Sequence, residues 1–250
     1  MTIMKTLKRW WHQLSSPHYF NKIAAICAPV FWMAALLLLV LGFVWGLFFA
    51  PPDYQQKDAF RIIYVHVPSA FLSMAVYVSM AVAGLIYYVW HIKLAAYYNR
   101  GMVLLGALFT VLALFTGAVW GKPMWGTYWS WRDPRLLAEL LLLFLYLGYW
   151  SLTITIERKA FADKMGAILL VVGVINIPII HYSVVWWNSL HQGATIMKLG
   201  KPSIDASMLW PLLICLLGFL CFTIAYGFAA TRYQMIAANN EKRWLERLYS

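Results

Sequence analysis

Six stretches of this chain are too long and too apolar to lie anywhere but in a membrane. They run from Ile23 to Pro52, Ile62 to Trp90, Gly101 to Gly121, Leu136 to Ile156, Met165 to Met197, and Ala206 to Thr231. Only the fourth contains an acid, Glu139. A bilayer core takes about 20 apolar residues of helix, so each run crosses once and none is long enough to cross twice. Composition agrees, with 63% apolar and 12% charged residues, far from soluble averages. The expected fold class is therefore an all-α integral membrane protein: one polytopic domain over residues 1–250 with six transmembrane helices. Lys5, Lys8 and Arg9 before the first run imitate a signal peptide. That run far exceeds the roughly 7–15 residues of a signal h-region, so an uncleaved signal anchor is expected.

A net charge of +11 invites a nucleic-acid reading, but its distribution argues for a bilayer instead. With the amino terminus inside, thirteen of the twenty Lys and Arg residues fall in cytoplasmic segments, the bias that orients helical membrane proteins. Six crossings then place both termini in the cytoplasm. Residues 231–250 form a short basic tail suited to the inner membrane surface; nucleic acid is not needed to explain it. Cys27, Cys215 and Cys221 lie in apolar runs without CxxC spacing and are expected as packing residues. The chain has no CxxCH, so it is not itself a c-type cytochrome.

Between the third and fourth spans, residues 120–136 read WGKPMWGTYWSWRDPRL, an outer loop with Trp120, Trp125, Trp129 and Trp131. It ends in Asp133-Pro134, an N-cap followed by a suitable first helical residue, so the fourth helix starts there. An interfacial aromatic belt is the bland reading; a platform for a large planar amphipathic ligand is the sharper one. The third helix is expected over about 102–119. The fifth is expected to reach about His181 with a kink at Pro178 in its last turn, and the sixth to cover about 208–229. The long outer segment from Tyr182 to Ser207 is of a length usually functional or disordered.

Two histidines stand at the outer ends of spans: His66, in VHVPSA just before the second helix, and His181, in IPIIHYS closing the fifth. Neutral imidazole is a common metal ligand and the usual axial ligand of haem iron. One interfacial histidine is more often simply hydrogen-bonded, but two at matched depth beside an aromatic loop favour a ligand role. His191, in NSLHQG, lies within the long loop and does not clearly share that geometry. His12, His18 and His91 fall on the inner side as surface residues. Haem suits the set: a flat ring for the tryptophans to cover, an iron for two imidazoles, and propionates for cations. Lys122, Arg132 and Arg135 are the nearest cations, with Arg61 a weaker candidate; stacking of Arg on Trp is the alternative use. Glu139, near a helix N-terminus, suits a structural role as well as a functional one.

These residues converge on a known family. WGKPMWGTYWSW followed by DPRL, RIIYVHVPSA before the second helix, and NIPIIHYSVVWWNSLHQG after the fifth occur together and in order. In this the chain resembles the haem-handling WWD-domain proteins of bacterial cytochrome c maturation, specifically the CcmC family, over nearly its whole length. The resemblance implies a multi-pass protein of the bacterial inner membrane that carries haem b as cargo on its periplasmic face. It implies delivery of that haem to the chaperone CcmE, a lyase-like role without a conventional catalytic site. The implied partners are CcmE, the transporter-type subunits CcmA and CcmB, the small subunit CcmD, and membrane lipid. The family's two axial histidines are assigned to His66 and His181, with Trp120, Trp125, Trp129, Trp131, Lys122, Asp133 and Arg135 around the haem. The chain departs from the family's WxWDPRL by an inserted Arg132, which affects the register of Trp131, Asp133 and Arg135.

Two other classes fit some of the same features. An integral b-type cytochrome would pair its histidines inside the bundle rather than at the rim. A haem permease would place polar groups near the midplane on broken helices. The haem–apocytochrome ligases of the same domain family have more spans.

Overall fold

A computed structural model describes residues 16–187, 189, 191 and 204–249, with the backbone alone for 241–249. The flank Lys5, Lys8 and Arg9, His12, and most of the last outer segment lie outside the described residues. Among the described residues the chain is helical, with only an isolated bridge between Asp53 and Lys57 outside that pattern. Six helical segments are long and apolar enough to cross a membrane, which agrees with the count expected from the sequence.

Helix α1 covers Pro17–Val44 and runs into a π-helical turn, Trp45–Phe49. A 3₁₀ turn, Asp58–Ile62, feeds α2, Ile63–Trp90. Then come α3, Lys93–Trp125, and α4, Pro134–Thr155. The fifth span is two pieces, α5, Lys159–Gly173, and α6, Asn176–Trp186; α7 closes the chain over Ala206–Tyr249.

Several boundaries differ from expectation, each for a local reason. Helix α2 begins upstream of His66 and Pro68, because the 3₁₀ turn supplies its first turn; His66 is on the helix rather than before it. Helix α3 continues past the apolar run to Trp125, so Trp120, Lys122 and Trp125 stand on its last turns. It stops at Gly126, which takes φ +77° and donates its N–H to the Lys122 carbonyl, as a glycine after a helix end commonly does. The loop proper is therefore 126–133. The fifth span breaks at Val174–Ile175, four residues ahead of Pro178, because the proline ring clashes with the carbonyl at i−4. The helix then resumes through His181, which lies mid-helix instead of closing it. The last helix runs on through the region expected as a separate tail.

Helices α2, α3, α4 and α5 surround one core, with Leu72, Tyr77, Met80, Phe109, Leu142 and Tyr146 at its centre. Helix α1 packs mainly along α7. Small residues permit close approach between membrane helices: a Cβ at Gly106 would collide with the Tyr146 ring. Two polar side chains in this core bond to backbone across helices. Tyr146 Oη donates to the Ser73 carbonyl at 2.7 Å, and Asn176 Nδ2 donates to the Ala138 carbonyl at 2.9 Å, tying the restart of the fifth span to α4. The three cysteines are unpaired.

Candidate haem site at one end of the bundle

The last turns of α3 form the floor. Thr116 lies beside His66 of α2, its Oγ1 2.9 Å from the imidazole Nδ1. The Thr116 hydroxyl spends its only hydrogen on the Leu112 carbonyl, at 2.5 Å. It must therefore accept from His66, which puts a proton on Nδ1; in the neutral imidazole Nε2 is then the nitrogen with the lone pair. Gly117 clears the space: a Cβ there would stand 3.1 Å from His66 Cε1. One turn on, Trp120 meets the imidazole edge-on, with ring centres 5.5 Å apart, and its indole N–H donates to Gln56 Oε1 at 2.9 Å.

The opposite wall comes from His191, between α6 and α7. The His191 ring centre is 6.5 Å from that of His66 with 29° between the planes, and 5.4 Å from the nearest Trp125 ring. Its Nδ1 is buried without a hydrogen-bond partner among the described residues. Burial foremost, then the Arg135 charge, push the imidazole down to about 4, against an opposing pull from Asp133. His191 is thus neutral, as a metal ligand must be. Beside His191 opens a shallow cleft lined by Gly117, Gly121, Trp125, Thr127 and Trp129, among others.

The remaining expected residues divide. Asp133 caps α4: its Oδ1 accepts from the backbone N–H groups of Arg135 and Leu136 at 3.0 and 3.1 Å. Arg135 makes no side-chain hydrogen bond among the described residues, yet its charge reaches His191. Trp129 has a buried indole N–H without a partner among the described residues, and its ring meets that of Trp131 at 5.4 Å. Trp131 itself is 71% exposed. Lys122 is occupied locally: Nζ donates to the Gly126 carbonyl at 3.1 Å and sits 5.3 Å over the Tyr128 ring. Arg61 is likewise committed, to the Gly46 carbonyl at 2.8 Å and to Asp58 at 3.0 Å. Arg132 lies in an exposed turn ahead of the cap, with the Asp133 N–H donating to the Ser130 carbonyl, and α4 starts regularly from Asp133.

His181 does not join this cluster. It is exposed on α6, its ring meets Tyr182, and among the described residues it makes no ring contact with His66. Helix-end reasoning had matched His66 with His181, but both lie inside helices, and the ring facing His66 arrives from a loop. Thr116, Gly117 and Gln56 were also missed. Nothing in the local sequence marks a threonine in an apolar helix as a histidine's partner.

The chain matches the family model described as CcmC, heme exporter protein C, over residues 10–246. It is 47% identical over 240 residues to the heme exporter protein C of Haemophilus influenzae, covering 96% of this chain and 97% of that one. It is 44% identical over 237 residues to that of Escherichia coli, covering 95% of each. For the Rhodobacter capsulatus protein of the same name the figures are 36% over 227 residues, 90% and 93%. Six candidate spans, the Trp-rich motif and this near full-length similarity together place the chain in the heme exporter protein C family.

Proposed function

We propose that this protein holds haem b as cargo at the outer face of the inner membrane, with His66 and His191 on the two sides of the iron. Haem delivery during cytochrome c maturation is the role that its family membership supports. The observation that carries the ligand pair is two imidazole rings at close range, one with its Nδ1 committed to Thr116 and the other with a buried Nδ1 unpartnered among the described residues. Two imidazoles sharing one metal, each at a bond of about 2.0–2.1 Å, hold their ring centres roughly 6 Å apart. The separation of 6.5 Å fits that demand. Trp125 and Trp129 cover the ring, and Arg135, a cation without a hydrogen-bonded partner among the described residues, takes a propionate.

The bound haem is presented to the chaperone CcmE, with CcmA, CcmB and CcmD as the surrounding subunits. The excess of basic residues on one side of the spans supports cytoplasmic termini and a periplasmic site. The test is haem-to-protein ratio and absorption spectrum of the complex purified with its partners. His66→Ala and His191→Ala should each lower haem content at least about ten-fold, and His181→Ala should leave it unchanged. Loss of haem in His181→Ala with retention in His191→Ala would overturn the ligand pair and restore the helix-end assignment.

A further inference from the structure

His191 stands five residues beyond the last residue of α6, so no helix aims it at His66. What aims it is a short hydrogen-bonded chain. Ser189 Oγ donates to Asp133 Oδ2 at 2.9 Å and accepts the His191 backbone N–H at 3.1 Å. A hydroxyl has one hydrogen and two lone pairs, and here the hydrogen and one lone pair are both used. The other carboxylate oxygen of Asp133 is committed to the first turn of α4. Asp133 is 2% exposed, so the bond to Ser189 is charge-assisted and shielded from water.

We infer that Ser189 is a positioning residue for His191, and that Asp133 is its anchor: one carboxylate starts α4 and latches the last outer segment across the cleft. The inference rests on the ligand reading above and assigns the latch to two residues that touch no cargo. The same carboxylate fixes Arg135, through its backbone, and His191, through Ser189. The two groups that would meet propionate and iron are therefore set from one point. Ser and Thr can make both bonds of the latch. Ala can make neither. Asn at position 133 keeps the helix cap but replaces the charged acceptor of the Ser189 hydroxyl.

The experiment uses the full complex purified with its haem. A hydrogen bond to a charged group corresponds to roughly a ten-fold effect on retention. Ser189→Ala should therefore lower haem occupancy about that much, and the residual haem should lose the spectrum of two imidazole ligands. Added free imidazole should restore that spectrum without restoring Ser189. Ser189→Thr should resemble the parent, and Asp133→Asn should lie between. Helicity and melting temperature should not change, which separates positioning from folding. If Ser189→Ala keeps full haem and the parental spectrum while His191→Ala has lost both, the latch is wrong and the ligand pair stands. If His191→Ala is also unaffected, both are overturned.

Discussion

Helix α3 carries a polar cluster near each end, and the two are built on opposite principles. Near its start, Arg100 grips Asp163 of α5 with both carboxylate oxygens engaged: Nε to Oδ1 at 2.8 Å and Nη2 to Oδ2 at 2.8 Å. The two side chains are 16% and 10% exposed, and of their neighbours Asn99 keeps one amide oxygen bare. Near its finish, beside His66, the His191 Nδ1 and the Trp129 indole N–H are buried without partners among the described residues. Buried polar groups in native proteins are nearly always satisfied, and each exception calls for a cause. At the first end a closed ion pair joins two helices; at the second, aromatic rings with unpartnered nitrogens suit the proposed haem receptacle.

That contrast can be broken by substitution. The largest effect should come from Arg100→Ala, which strands the Asp163 carboxylate inside the bundle. Breaking a buried pair by removing one partner costs about 3–5 kcal/mol, so folded yield and melting temperature in detergent should drop sharply. Haem per folded molecule should be unchanged; a parallel fall in that ratio would show that the two ends are one system. Next is Thr116→Val, which keeps shape and removes the acceptor for His66 Nδ1–H. Loss of such an outer-shell partner costs about 10–100-fold in metal affinity. Haem retention should fall within that range with no change in melting temperature, while Thr116→Ser should retain function. A thermal defect without haem loss would make Thr116 a joint residue instead. The smallest effects grade the aromatic loop. Trp129→Phe removes an unmatched N–H from the cleft wall and should weaken retention about two- to ten-fold. Trp131→Phe and Lys122→Ala, exposed or locally engaged, should stay within about two-fold. Equal losses at all three positions would favour a generic aromatic belt over a receptacle.

Much of the frame was legible because it follows from hydropathy and local rules. The six spans came from run length, and Asp133-Pro134 marked the start of α4 to the residue. Helix ends were read less well wherever charge or polarity was taken for a stop. Lys122 and Trp125 continue α3, which carries Pro123 inside it and ends only where Gly126 supplies the left-handed residue. The break at Val174 was displaced from its proline by one turn, since the clash falls on a carbonyl four residues back. The site was harder. Depth along the chain suggested His181 as the partner of His66, but a loop is placed by tertiary bonds, and the Ser189–Asp133 contact spans 56 residues. Trp and Arg identity announced a binding surface; which face each side chain occupies depended on partners such as Gln56 and Gly126, which no spacing rule supplies.

The geometry of α3 imposes a phase condition on the whole protein. Sixteen residues separate Arg100 from Thr116. At 3.6 residues per turn they point about 160° apart around the axis and lie about 24 Å apart along it. Helix α3 is thus pinned at two heights on nearly opposite sides. A twist that tightened one pin would pull the other out of register, and a slide of one residue would misalign both. Insertions or deletions of a single residue between 100 and 116 should therefore be far less tolerated than one at 132, where a turn and not a shaft absorbs the change.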